Sequence, residues 1–113
     1  MDNFTERVDE FYGCVKELVR WINEENKEFP HAERLLECGT GICGSFRAAM
    51  STSGLTGKSF EEVVAKADEF IGLMELMVRT GILTEIQSRP LLSECGALKA
   101  RAEDLLSGDR KEI

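Results

Sequence analysis

The segment Glu37-Cys38-Gly39-Thr40-Gly41-Ile42-Cys43-Gly44-Ser45-Phe46 constrains this chain more than any other, because Gly39, Gly41 and Gly44 spell G-x-G-x-x-G. In a loop between a strand and a helix, that spacing seats a dinucleotide pyrophosphate on a helix N-terminus. Inside a helix, it is a run of small residues that lets a neighbouring helix come close. The residues ahead of it decide between the two. Ala32-Glu33-Arg34-Leu35-Leu36-Glu37-Cys38 is neither β-branched nor alternating and makes a poor strand. The acids that follow at about the fingerprint distance, Glu61 and Glu62, open a helix instead of closing a second strand. No βαβ alternation appears, so the segment reads as helix and no nucleotide cofactor is expected.

That reading has a cost. Each interior glycine gives up about 0.8–1 kcal/mol against alanine. Leu35, Ile42, Phe46 and Ala49 still recur at helical spacing, while Gly41, Ser45, Ala48 and Thr52 leave a second face bare. Close packing on that bare face would offset the lost propensity.

Apolar periodicity then divides the chain into four helices. The first runs from Asn3 to about Lys27, opening on the capping box Asn3-Phe4-Thr5-Glu6, with a 4-3-4-3-4 seam of Phe4, Val8, Phe11, Val15, Leu18 and Ile22. Tyr12, Val19 and Trp21 widen its apolar side. Glu28-Phe29-Pro30-His31 connects it to the second helix, about His31 to Thr52. Ser51 to Lys58 is a loop of small and turn-forming residues. The third helix opens on the box Ser59-Phe60-Glu61-Glu62 and carries the seam Phe60, Val63, Ala67, Phe70, Met74 and Met77. Val64, Ile71, Val78, Leu73 and Leu76 make it apolar on nearly every side over residues 70–78, which calls for cover by a partner. Arg79 and Gly81 stop it. The fourth helix has two candidate starts: Thr84-Glu85-Ile86-Gln87, with Pro90 then inside the helix, or Ser88, with Pro90 in the first turn. Its seam is Cys95, Leu98, Ala102 and Leu105, and it ends near Ser107-Gly108. Short loops between amphipathic helices give an all-α, up-down-up-down antiparallel four-helix bundle over residues 1–108, with a polar tail at 109–113.

Composition narrows the function. The 113 residues carry a net charge of −7, which disfavours a general role on nucleic acid or anionic membrane. No apolar run is long enough to span a bilayer, and the acidic N-terminus lacks a signal peptide, so a cytoplasmic location is expected. Cys14, Cys38, Cys43 and Cys95 form no C-x-x-C pair and read as buried free thiols. His31 is the single histidine, too few for a bundle di-metal site or a catalytic triad. Glu33 with Glu37, and Glu61 and Glu62 with Asp68 and Glu69, read as solvated helix faces. No catalytic residue, metal, cofactor or small-molecule substrate is expected. Residues 31–54 are locally neutral, with two acids and two bases, so Arg34 and Arg47 are the candidate nucleic-acid contacts.

Phe29-Pro30 ahead of helix two, Leu35, Ser45-Phe46 followed by small residues, Phe60 early in helix three, and Gly81-Ile82-Leu83 before helix four together resemble the bacterial rRNA intervening-sequence (S23-like) four-helix-bundle family. The resemblance spans about Leu18 to Leu106. It implies an up-down-up-down bundle that assembles as a ring-shaped pentamer and has no assigned activity. A related group, the accessory variability determinant (Avd) proteins of diversity-generating retroelements, binds a reverse transcriptase and RNA. Two roles follow as expectations. The first is a non-enzymatic homo-oligomeric interaction module, its interface on Gly41, Ser45, Ala48, Leu73, Leu76 and Met77. The second is an accessory protein of a retroelement or other RNA complex.

Overall fold

A computed structural model describes residues 3–25, 29–51 and 57–111. It contains α1 (Asn3–Glu24), α2 (Ala32–Ser51), α3 (Gly57–Arg79) and α4 (Glu85–Lys111), and no strand among the described residues. The glycine segment lies wholly inside α2. The helices form an antiparallel four-helix bundle of 49 × 22 × 21 Å. Each packs on its chain neighbour, α4 returns to α1, and the α1–α4 seam is the thinnest of the four.

The core follows the 3.6-residue stripes. Val8, Phe11, Val15, Val19 and Ile22 of α1 meet Leu35, Cys38, Ile42 and Phe46 of α2, and Phe60, Val63, Ala67, Phe70, Met74 and Met77 of α3. Cys95, Leu98 and Ala102 of α4 close it. Phe11 and Phe70 meet edge to face at 5.2 Å, and Phe46 and Phe60 at 5.9 Å, geometry that suits the ring quadrupoles. In α1 the buried position after Val15 is Val19, while Leu18 is half-buried. A straight helix drifts away from a strict seven-residue repeat, and here the stripe follows 3.6. Leu105, expected in the α4 seam, is half-buried.

The close approach made possible by the small residues falls at Gly39. A Cβ built there would stand 3.0 Å from Val15 Cγ1 of α1. At Gly41 the neighbour is the aliphatic stem of Lys66 at 3.4 Å, and at Gly44 nothing lies within 4 Å. The tight crossing is thus on the buried side of α2, between α1 and α2, and not on the Gly41–Ser45–Ala48 face.

The α3–α4 connection is fixed by hydrogen bonds. Gly81, at φ +85°, takes the left-handed conformation that ends α3. The Ile82 N–H donates to the Met77 carbonyl at 2.9 Å and the Gly81 N–H to Val78 at 3.1 Å, the paired bonds of a Schellman cap. Thr84 then caps α4. Its N–H donates to Gln87 Oε1 at 2.9 Å, and its Oγ1 accepts the Gln87 N–H at 3.1 Å. Of the two starts, Thr84 is the one used. Ser88 is buried inside the helix, its hydroxyl donating to the Glu85 carbonyl at 2.9 Å. Pro90 therefore sits within α4 and leaves the Ile86 carbonyl without its helical donor. That turn faces water, since Ile86 is 75% exposed.

Three boundaries differ from expectation. α1 begins at Asn3 as expected and ends at Glu24, short of Lys27. α3 begins at Gly57, so Ser59 stands within the first turn instead of at the cap. Residues 52–56, most of the expected 51–58 loop, lie outside the described residues, as do 112–113 of the tail; α4 runs past Gly108 to Lys111.

Candidate interaction surface

The six residues expected at an interface separate in the structure. Arg34, Gly41, Ser45 and Ala48 share one stripe of α2, and Lys66, Glu69, Leu73 and Leu76 share the facing flank of α3. Five of the six therefore lie along the α2–α3 seam, with Ala48 exposed and Gly41, Ser45, Leu73 and Leu76 half-buried. Met77 is the correction: it is fully buried in the chain's own core and has no surface to offer. The all-round apolar character of α3 also has a source within the chain. One flank faces α2, and the other, with Val64, Ile71 and Val78, faces α4. Glu61, Glu62, Asp68, Glu75 and Arg79 are exposed, Asp68 and Glu75 along the α4 flank.

Arg34 and Arg47 point to opposite sides of α2. Arg34 donates from Nη2 to Glu69 Oε1 at 2.7 Å across to α3, and from Nη1 to Glu37 at 3.1 Å. Arg47 pairs with Asp9 of α1. They do not form one basic patch, and each already holds a carboxylate. The same pattern recurs around the bundle. Arg7 and Glu94 join α1 to α4 through two 3.0 Å contacts, and Lys99 reaches Asp68 at 2.5 Å between α4 and α3. Each of the four seams thus carries an ion pair. The carboxylates Asp68 and Glu69 are parts of these pairs. Glu69 is held below the usual carboxylate range by the Arg34 hydrogen bond.

The thiols divide three to one. Cys38, Cys43 and Cys95 are buried as expected, and Cys14 is the exception, exposed on the surface of α1. Burial pushes Cys38 up to about 11 and Cys95 to about 12, and raises Cys43 against the opposing pull of Arg47. Cys95 donates to the Ala67 carbonyl at 3.7 Å, and Cys43 to Asp9 at 3.8 Å. Protonated, buried thiols are poor nucleophiles. His31 is exposed at the α2 start, its ring edge-on to Phe29 at 5.5 Å. Among the described residues, no three His, Cys, Asp or Glu side chains gather as a metal site.

Two concavities lie beside α4. One, of about 320 Å³, opens in the thin α1–α4 seam among Phe11, Cys14, Pro90 and Leu91 beneath the Arg7–Glu94 pair. The other, of about 500 Å³, lies between the end of α3 and the start of α4. Val78, Leu92 and Ser88 line it, and Glu75, Arg79, Glu85 and Arg89 surround it. None of those four charged groups is in an ion pair among the described residues, whereas Arg7, Arg20, Arg34 and Arg47 each hold a carboxylate. Ile86 stands on the same turn as Glu85 and is the one large apolar side chain left exposed among the described residues. Sequence reading missed this surface. Its signal was the Thr84 start, which sets Ile86 off the Ser88–Cys95–Leu98–Ala102 stripe.

No family model matches the chain, and no curated protein matches it. Among solved structures it is similar to a protein of unknown function from the S23 ribosomal protein family of Bacteroides thetaiotaomicron. The TM-score is 0.83 at 20% sequence identity, over 90% of this chain and 96% of that one. At that identity the likeness establishes the four-helix fold. A fold carries no function by itself. No helix of the described residues is long and apolar enough to cross a membrane.

Proposed function

We propose that this chain is a non-enzymatic interaction module that works by self-association, a structural part rather than a catalyst. The observation that carries the reading is the α3–α4 end. There an open cavity, four charges that form no ion pair among the described residues and the exposed Ile86 occur together at one end of the bundle. Apolar surface ringed by polar groups marks protein contact sites. Ser45 and Ala48 on the α2–α3 seam offer a second surface of low relief. The three buried thiols are held protonated by their burial, which makes them poor nucleophiles. Sedimentation velocity over the micromolar range tests the reading. A mass above one chain that grows with concentration is expected. A single-chain mass throughout overturns it.

A further inference from the structure

The α1–α4 seam is the thinnest in the bundle, and it is open. Its cavity of about 320 Å³ reaches down to Phe11, with Pro90 and Leu91 as the α4 wall. A second concavity, lined by Gly13, Lys16 and Glu17, continues from it along α1 and shares Glu10 and Cys14 with it. Ile86 stands one turn ahead of Pro90 on the same stripe of α4, away from Glu85 and Arg89, which line the α3–α4 cavity. At 75% exposed, it extends the apolar wall. On α1, half-buried Leu18 follows Cys14 by one turn on the side facing α4. The seam is therefore an apolar trough between two antiparallel helices.

The two walls differ in charge. From Ile86 to Ser93 the single charge on α4 is Arg89, and it lies on the other flank. On α1, Glu6, Glu10, Glu17 and Glu24 fall on one stripe, all exposed. The bases of α1 are turned away or held. Lys16 lies over the Tyr12 ring at 4.7 Å, Arg20 holds Glu17, and Arg7 holds Glu94. Pro90 adds a further acceptor, the Ile86 carbonyl without its helical donor. An apolar floor bordered by acids and acceptors fits a helix with one apolar and one basic face. None of this chain's own helices has that character: α1 and α3 each carry five acids and three bases, α2 two of each, and α4 five of each. The complementary helix belongs to a different protein.

We propose that the α1–α4 groove receives a basic amphipathic helix of a partner protein. The apolar face of that helix lies on Phe11, Leu18, Leu91 and Ile86. Its Lys and Arg side chains meet the stripe from Glu6 to Glu24, roughly 27 Å long at about 1.5 Å per residue. The contact uses a different face from the self-association reading and needs one copy only, so either can fail without the other.

The probe is a dye-labelled synthetic peptide of about 18 residues, Leu on one helical face and Lys on the other, with a Glu-for-Lys peptide as its control. Fluorescence anisotropy with the full chain is expected to show saturable binding of the Lys peptide that weakens as salt rises, and none of the Glu peptide. Bound Lys peptide is expected to slow alkylation of Cys14, which lines the groove. Glu6→Lys with Glu10→Lys is expected to weaken binding at least about tenfold. Glu61→Lys with Glu62→Lys makes the same change in net charge on α3 and is expected to leave binding within about twofold. Ile86→Ser is expected to weaken it with no change of charge. All five positions are exposed, and far-UV circular dichroism confirms the fold of each variant. Equal weakening by the two charge variants, an unprotected Cys14 or no binding of the Lys peptide overturns the proposal. So does protection of Cys14 on raising the chain's own concentration without peptide, which assigns the groove to a second copy.

Discussion

Alanine at each of the three α2 glycines gives a measurement of the helix crossing. Replacing an exposed interior glycine with alanine gains about 0.8–1 kcal/mol of helix propensity. Gly44→Ala should realise that gain, because its new methyl meets nothing within 4 Å. Gly39→Ala gains the same propensity but places a methyl 3.0 Å from Val15 Cγ1, 3.3 Å from Cβ and 3.4 Å from Cγ2. Val15 is fully buried and β-branched, so it has no free rotamer to retreat into. Overpacking of this kind costs about 1–3 kcal/mol. The propensity terms cancel in the difference between the two variants. Gly44→Ala should therefore exceed Gly39→Ala by about 1–3 kcal/mol in urea unfolding, with equal slopes. Gly41→Ala should fall between them, since its 3.4 Å neighbours belong to the flexible stem of Lys66. Val15→Ala in the Gly39→Ala background should recover part of the loss, a favourable coupling in the double-mutant cycle. Equal midpoints for Gly39→Ala and Gly44→Ala would refute the crossing and return the glycines to an open segment.

Three further outcomes follow from the same geometry. A thiol reagent at neutral pH should label Cys14 rapidly and Cys38, Cys43 and Cys95 only after unfolding; rapid labelling of all four would contradict the packing of α2 and α4. In alkali, the unfolded chain loses thiol protons from about pH 9, while native Cys38 and Cys95 hold theirs to about 11 and about 12. Folding then binds more protons than unfolding, so stability should fall as pH rises through that window, and less steeply in Cys95→Ala. On the acid side the sign reverses: Glu69, lowered by Arg34, contributes stability above its ordinary value of 4.5 that is lost as pH falls through its native value. Denaturation midpoints that stay flat from neutral to strongly alkaline pH would contradict the buried thiols. Structured RNA titrated at low salt should show no salt-dependent binding, because Arg34 and Arg47 lie on opposite sides of α2 and each holds a carboxylate. Binding that weakens steeply with salt would reverse that and favour the RNA-complex role.

Period and caps made most of the fold legible. The spacing of Phe60, Val63, Ala67, Phe70, Met74 and Met77 is the buried stripe of α3, and Gly81 is its stop. Neighbourhood was not legible. Leu73 and Leu76 look like surplus on a helical wheel, but whether they face water depends on which helices flank α3, and a single helix's pattern does not contain that. Met77 was placed at the surface by the same lack. Gly39 and Gly41 are equivalent in propensity, and only the position of Val15 on another helix tells them apart. Ile86 was hidden for a different reason. With two competing starts for α4, its place on the wheel had no fixed origin until the Thr84–Gln87 bonds set one.

The charge pairs along the seams bear on how this sequence settles on one arrangement. Exposed pairs such as Arg34–Glu69 contribute little stability, about 0–1 kcal/mol each. Their larger effect is on register. Lys99 now meets Asp68. Sliding α4 by one turn along α3 would set it against Val64 or Ile71, both half-buried and apolar, leaving an ammonium and a carboxylate without partners. Arg7 with Glu94 and Arg47 with Asp9 exclude the same slip on the α1 side. Each seam therefore penalises its wrong registers, as interhelical pairs do in coiled coils. The α3–α4 end is where that rule lapses. Glu75, Arg79, Glu85 and Arg89 stand near one another on facing helices, with the signs needed to pair, and form no ion pair among the described residues. Charges left open around a cavity keep their hydration until a second molecule brings the opposite sign, so this end is where the bundle has polar groups to offer without breaking a pair of its own.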